Sequence, residues 1–193
     1  MTVYTHIKRF FDIVLSCILL ALLSPVFFAV MFAVSLEDKG NIFFKQQRVG
    51  KNGHPFTIYK FRTMRTDAPH NVASHDLTDA ERFVTPVGRV LRVTSLDELP
   101  QLLNVLKGDM SFVGPRPVIL QETALLSLRH QVGADRVRPG ITGLAQICGR
   151  DRVPDEQKAA YDGVYARRFC FLLDLRILLS SVKYVLKRED VCL

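Results

Sequence analysis

From Ile13 to Leu36 the chain carries no charged side chain. This run of about 24 residues would reach roughly 36 Å as a straight helix, more than a core helix needs and enough to cross a hydrocarbon slab. Two features argue against a plain span. Ser24-Pro25 interrupts the middle of the run, where proline removes a backbone donor and crowds the preceding turn. The Ser24 hydroxyl can serve a carbonyl freed one turn back, which makes a kink tolerable in lipid. Basic residues also flank both ends, Lys8 and Arg9 before the run and Lys39, Lys45, Arg48 and Lys51 after it, whereas a span keeps its positive charge on one side. A kinked span stays open, but the pattern favours a helix that enters, bends and leaves on one face. A cleaved signal peptide fits poorly, because the run exceeds an ordinary h-region and no A-x-A site closes it.

The pattern then changes period. Ile42–Val49 and Pro55–Met64 are rich in β-branched and aromatic residues, and Lys51-Asn52-Gly53 supplies a turn, so a hairpin is predicted over Asn41 to Met64. Alternation puts Lys60 and Arg62 on one face and Tyr59 and Phe61 on the other. Alone, that pair of cations reads as a solvated edge. Residues 65–78 are polar and read as a loop, and a short helix is expected from Asp79 onward.

Ser95 and Glu98 have the spacing of a capping box, which predicts a helix start. Pro100 suits its first turn, Leu102, Leu103, Val105 and Leu106 give it an apolar face, and Gly108 stops it. Asp97 and Glu98 then sit at the positive end of a helix, where ionised carboxylates are favoured and can act as a nucleophile or hold a divalent metal. Read by itself, the pair serves equally well as an exposed acidic helix start. Arg116 follows, held between Pro115 and Pro117.

Helical pattern resumes from Val118 to Gln131. In "RVRPGITGLAQICGR", Gly140 and Gly143 suit a loop whose N–H groups approach an anion, bracketed by Arg136, Arg138 and Arg150. The last apolar stretch, "FCFLLDLRILLSSVKYVLKRED", carries Arg176, Lys183 and Lys187 at helical spacing and predicts a helix lying on a membrane surface. A core helix with a basic edge is the alternative.

Composition narrows the partners. A chain of 193 residues holds one domain with a genuine core. Its formal net charge of +7 calls for an anionic partner: a phosphorylated substrate, an anionic lipid surface or nucleic acid. The four cysteines are dispersed without a C-x-x-C pair, which excludes a disulfide framework or zinc site and suits a reducing compartment. Phosphate-binding Walker and dinucleotide glycine motifs, HExxH and a serine-hydrolase elbow are all absent. Adjacent carboxylates among arginines and lysines, with an arginine pinned by prolines, make a site for phosphate.

These motifs resemble a known family. "KRFFDIVL", the Ser-Pro within the apolar run, "QQRVGKNGHPFTIYKFRTM", "SLDELPQLLNVLKGDMSFVGPRP", "RPGITGLAQICGR" and "FLLDLRILL" are similar to the bacterial sugar transferases. They match the short, PglC-like monotopic phosphoglycosyl transferases, in that family's order from about Lys8 to Arg188. The resemblance implies transfer of a phosphosugar from a UDP-sugar to undecaprenyl phosphate, releasing UMP, through a covalent aspartyl-phosphosugar. It makes Asp97 the nucleophile and Glu98 its partner, with Mg²⁺ (or Mn²⁺) at Asp97. Lys60, Arg62, Arg92, Arg116 and Arg138 match basic positions around the phosphates, and Lys8, Arg9, Ser24 and Pro25 match the re-entrant helix and its break. One departure stands out: some relatives carry a tryptophan before "YD", and this chain has none.

Pattern and resemblance together imply an α+β fold, a small monotopic membrane protein. Residues 1–36 form a re-entrant broken helix; residues 37–193 form a mostly helical cytoplasmic catalytic domain with a β-hairpin and surface amphipathic helices. The implied place is the cytoplasmic face of the bacterial inner membrane, with anionic lipids as further partners, no nucleic acid, and a homodimer allowed. The rival readings are a membrane-tethered basic adaptor without catalysis and a polyprenol kinase or phosphatase.

Overall fold

The computed structural model describes residues 2–37, 40–68, 80–149 and 153–187. In chain order the elements are α1 (Thr2–Leu22), α2 (Ser24–Glu37), β1 (Phe43–Val49), β2 (Pro55–Phe61), α3 (Pro86–Thr94), α4 (Gln101–Lys107) and β3 (Ser111–Val113). There follow α5 (Thr123–Gln131), β4 (Gly140–Thr142), α6 (Leu144–Ile147), α7 (Asp155–Arg168) and α8 (Phe171–Lys187). Mixed helix and small sheets make this an α+β chain.

α1 and α2 meet at 64°. Pro25 has no N–H for the carbonyl of Ala21, and the Ser24 hydroxyl donates to that carbonyl instead at 2.8 Å. The helix breaks, yet the Ala21 carbonyl keeps a partner. Among the described residues no single helix is long and apolar enough to cross a membrane; the bent pair passes only when taken together.

α1 is amphipathic with its faces reversed. Its polar stripe turns inward: Asp12 and Ser16 are buried, and Lys8 Nζ lies 2.6 Å from Asp174 on α8. Arg9 donates to the carbonyls of Val105 and Leu106 at the end of α4. Asp12 accepts from the Ser111 hydroxyl at 3.1 Å and the Phe112 N–H at 3.2 Å. Phe10, Phe11, Ile18 and Leu22 turn outward and are exposed. α2 is apolar all round: Phe27, Val30, Met31 and Val34, at i, i+3, i+4 and i+7, pack with Phe61 and Leu91, while Phe28, Phe32 and Leu36 stay exposed.

The hairpin forms as expected, with Phe43 opposite Phe61 and Val49 opposite Pro55. Asn52 (φ 55°) and Gly53 (φ 77°) take the left-handed conformations of its turn. The second strand, however, stops at Phe61 rather than Met64, which instead makes an isolated bridge to Val84. Phe61 stacks on Phe43 and meets Phe27, and that aromatic cluster ends the ladder. The helix expected from Asp79 appears as a 3-10 turn, Ala80–Phe83, and most of the predicted polar loop lies outside the described residues.

Asn104 fastens α4 to the hairpin. Its amide accepts from the Tyr59 N–H at 3.0 Å and donates to the Thr57 carbonyl at 2.7 Å, imitating a strand partner along β2. The core gathers below, where Ile58, Leu102, Val105, Met110, Val113, Tyr165 and Ile177 pack together. α5 begins at Thr123, not Val118: a tight turn comes first, in which the Glu122 N–H donates to the Ile119 carbonyl at 3.2 Å and the Glu122 carboxylate accepts from the Ile119 N–H at 3.0 Å. α8 buries Asp174 and Ile177 and exposes Phe171, Leu172, Leu179 and Val182.

The glycines of the "RPGITG" segment serve packing. β4 pairs parallel to β3, and a Cβ on Gly140 would strike Gly114 N and Thr142 O, one on Gly143 would strike Gly114 O, and one on Gly114 would strike Arg138 O. Three glycines let two backbones cross in contact. The expectation that Gly140 and Gly143 cradle an anion is replaced by this steric one.

Candidate active site

The dyad is presented by a sharp reversal. α3 ends at Thr94, and Ser95 takes a left-handed conformation, φ 58°, with its N–H directed to the Arg92 and Leu91 carbonyls. Leu96–Glu98 then forms a 3-10 turn that leads into α4. The expected capping box does not form, for a simple reason. Its two groups are already engaged: the Ser95 N–H closes α3, and the Glu98 carboxylate faces Lys60. Asp97 and Glu98 still stand just before the N-terminus of α4, and Pro100 and Gly108 begin and end that helix as the sequence indicates.

Lys60 on β2 joins the two carboxylates. Its Nζ is 2.7 Å from Glu98 Oε1 and 3.6 Å from Asp97 Oδ2. Arg116 Nη1 approaches the same Glu98 oxygen at 3.8 Å, and its side chain remains half exposed toward solvent. Burial pushes Glu98 upward, but Lys60, Arg116 and a hydrogen bond from Gln101 more than offset it and hold the acid at about 2. For Asp97 burial wins over Lys60, and Glu98 adds repulsion, so its acid sits above the ordinary range although Arg92 and Arg116 oppose the shift. The two neighbours are therefore unequal. Glu98 is a fixed anion clamped by cations, and Asp97 is the buried, less tightly paired and more basic carboxylate. Arg92 is itself held by Thr63, whose hydroxyl accepts from Nε at 3.0 Å.

The loop that carries Arg116 is held by its carbonyls. Arg116 O accepts from Arg129 Nη1 at 2.9 Å, Pro117 O from Arg48 Nη1 at 3.4 Å, and Val118 O from the Val49 N–H at 3.0 Å. Arg129 is buried and paired with Asp162 at 2.6 Å, so the loop rests on an ion pair rather than on proline stiffness alone.

Lys60, Arg92 and Arg116 thus converge on Asp97 and Glu98. Arg62 and Arg138 are placed differently. With the strand ended at Phe61, Arg62 leaves the face shared with Lys60 and donates to the Val34 carbonyl of α2 at 3.5 Å. Arg138 donates to the Gly108 carbonyl at 2.8 Å, near Arg9 and beyond the far end of α4. Arg150 lies outside the described residues.

Four contributors escaped the sequence reading. Arg48 stands near Arg116 and Glu98; burial chiefly, then Arg116, lower its guanidinium to about 10 despite Glu122 and Glu98. Gln101 and the pair Arg129–Asp162 complete the set. The available signal was the position of Arg48 within the predicted first strand. For Arg129 and Asp162, 33 residues apart, sequence carried none.

A divalent metal fits the dyad in one way. Among the described residues no group of three or more His, Cys, Asp or Glu side chains converges, so most of the ion's shell would come from phosphate oxygens and water, the habit of Mg²⁺. With Glu98 engaged by Lys60 and Arg116, Asp97 is the residue that would hold it. Chemically, the arrangement offers a carboxylate nucleophile facing cations that can neutralise phosphate oxygens.

Comparison with known proteins identifies the family. A sugar transferase, EpsL, of Bacillus subtilis (strain 168) is 42% identical over 185 residues, covering 96% of this chain and 90% of that protein. The exopolysaccharide production protein ExoY of Sinorhizobium fredii is 41% identical, covering 92% of this chain and 84% of its own length. A UDP-glucose:undecaprenyl-phosphate glucose-1-phosphate transferase of Caulobacter vibrioides is 41% identical across 95% of this chain and 71% of its own length. The family model for bacterial sugar transferases matches residues 3–188, and this chain belongs to that family of enzymes.

Proposed function

We propose that this enzyme transfers a sugar phosphate from a UDP-sugar to undecaprenyl phosphate, with Asp97 as the nucleophile. In the first step an Asp97 carboxylate oxygen bonds to the β-phosphorus, the bond from that phosphorus to the bridging oxygen breaks, and UMP leaves with the electron pair. In the second, a phosphate oxygen of undecaprenyl phosphate bonds to the same phosphorus and the aspartyl oxygen–phosphorus bond breaks, restoring the carboxylate. Two steps let a soluble donor and a lipid acceptor use one small site in turn.

The observation that carries this reading is the inequality within the dyad. Glu98 takes the closest cation and stays anionic, which holds Lys60 and Arg116 beside the reacting phosphates. Asp97 is left the better nucleophile, because a carboxylate with a raised pKa is less strongly stabilised as an anion. Arg92, beside Asp97, and the half-exposed Arg116 supply charge where the phosphates enter. Mg²⁺, or Mn²⁺ in its place, would add positive charge against the diphosphate when held by Asp97.

A lipid acceptor requires a membrane, and α1 supports one. A helix that buries Asp12 and Ser16 while exposing Phe10, Phe11 and Ile18 is inside out for water and correctly oriented for lipid. The proposed location is the cytoplasmic face of the bacterial inner membrane, with α1 and α2 re-entrant and the exposed apolar residues of α8 beside them.

The test is a single-turnover experiment. Incubating the protein with a UDP-sugar labelled in its β-phosphate, without lipid acceptor, should yield a protein-bound phosphosugar and one equivalent of UMP. Asp97→Asn should give neither while remaining folded. An undiminished adduct in Asp97→Asn would overturn the assignment.

A further inference from the structure

A second cationic feature lies at the opposite end of α4 from the dyad. There a cavity of about 430 Å³ is lined by Lys8 and Arg9 of α1, Lys51 of the hairpin turn, Arg136, Arg138 and Arg167 of α7. Arg9 and Arg138 rest on the last carbonyls of α4 and on Gly108, a favourable place for cations. Asp12 also lines the cavity but is committed to Ser111 and Phe112. Asp109 acts on Arg9 from nearby, and Asp174 pairs with Lys8. Among the described residues Lys51, Arg136 and Arg167 have no carboxylate partner. The dyad's chemistry does not use this collection of positive charge.

We propose that this cavity binds the phosphate head group of an anionic membrane glycerophospholipid, distinct from the reacting acceptor. The proposal rests on the membrane reading of α1 given above. Three observations carry it. The charge excess calls for an anion, and phosphate suits convergent arginines and lysines. One wall is apolar, with Val113, Val137 and Phe169 in the lining, which a free anion would leave unused. Finally, α1 forms one side of the cavity, and its outward Phe11 lies 6.3 Å from the ring of Phe171 on α8. The head group would therefore sit beside the exposed apolar belt, along which acyl chains can leave. α4 is seven residues long, about 10 Å, so a phosphate held past its C-terminal end is out of reach of Asp97. Such a lipid would brace α1 against the domain rather than react.

The experiment measures binding of dioctanoyl phosphatidylglycerol to the full-length protein in neutral detergent, by native mass spectrometry and calorimetry. Wild type should bind one molecule, and Lys51→Glu/Arg136→Glu should bind at least about tenfold more weakly, since each cation near a lipid phosphate contributes appreciably. Arg65→Glu/Arg89→Glu, with the same change in net charge on exposed residues, should bind as wild type does. Asp97→Asn should also bind normally, which separates this site from the transferase reading, whose failure would appear in the adduct experiment instead. Equal affinity in the cavity variant and wild type would overturn the proposal. So would inorganic phosphate displacing the lipid at equal concentration, which would mark a soluble-anion site. A short polyprenyl phosphate binding here to the exclusion of phosphatidylglycerol would likewise overturn it, in favour of an acceptor site.

Discussion

Arg129 donates a hydrogen bond to the backbone carbonyl of Arg116 at 2.9 Å while its other nitrogens grip Asp162. One guanidinium thereby fixes the loop from which a second guanidinium reaches the dyad. The pair is buried, and burial raises the Asp162 carboxyl although Arg129 opposes it.

Removing one partner strands the other. Arg129→Met should cost about 3–5 kcal/mol of stability, the scale for a buried charge left unpaired. Arg129→Met/Asp162→Met should recover most of that in thermal unfolding, because two apolar groups replace two charges. Its kcat/KM should nevertheless stay about tenfold or more below wild type, since the Arg116 carbonyl has lost its donor and small misplacements are costly in catalysis. Recovery of activity together with stability would show that Arg129 has no positioning role.

Lys60 is the chief charge opposing burial at both carboxylates of the dyad. Its ammonium lowers the pKa of both Asp97 and Glu98, so Lys60→Met should raise both. A carboxylate whose pKa rises is protonated at higher pH, hence the acid limb of kcat/KM should move upward in pH and the variant should fail first on acidification. A depressed Glu98 also stabilises the fold above its ordinary value of 4.5, and this contribution fades as pH falls toward about 2; Lys60→Met removes much of it. The check is a pH–rate profile of both proteins in one buffer series. An acid limb that stays in place would mean that Lys60 does not tune Asp97.

The glycine crossing gives a sharp steric prediction. Gly140→Ala and Gly143→Ala each drive a methyl group into backbone of Gly114, which cannot rotate away as a side chain can, so both should abolish cooperative unfolding. Gly53→Ala meets no atom within 4 Å and bears only its left-handed conformation at φ 77°, costing about 1 kcal/mol. Equal effects at the three sites would refute the crossing.

These glycines also show what sequence could and could not reveal. Local pattern identified the hairpin, the break at Ser24-Pro25, Gly108 as the stop of α4 and the place of Asp97 and Glu98 just before that helix, because each depends on neighbours in the chain. Gly140 was legible as special but not in its reason, since its close partner Gly114 lies just after β3, in a distant part of the chain. The capping box failed for the same cause: Lys60, 38 residues away, claims Glu98. Arg62 was misplaced because an aromatic cluster with α2 ends the strand one residue before it. Arg129 and Asp162 act through the folded loop that carries Arg116, and nothing in their immediate sequence marks them.

The last prediction concerns the bend. Ser24 donates to the Ala21 carbonyl that Pro25 cannot serve, so the bend should depend on Pro25 more than on Ser24. Pro25→Ala restores an N–H at that position and allows α1 and α2 to continue as one helix from Thr2 to Glu37, about 54 Å long and ample for a ~30 Å hydrocarbon core. In the wild type both ends should face the cytoplasm, which keeps Lys8 and Asp174 together on the side of the dyad. Single cysteines at Thr2 and Asn41, in a background without the native four, report the two ends to a membrane-impermeant thiol reagent. In cells with only the outer membrane opened, neither should label in the wild-type background; Thr2→Cys should begin to label when Pro25→Ala is added. Ser24→Ala should leave the topology intact but weaken the protein by about 1 kcal/mol, because a carbonyl then lacks its partner. Labelling of Thr2→Cys without the Pro25 substitution would show that α1 and α2 cross the membrane and that the bend is only a kink in a span.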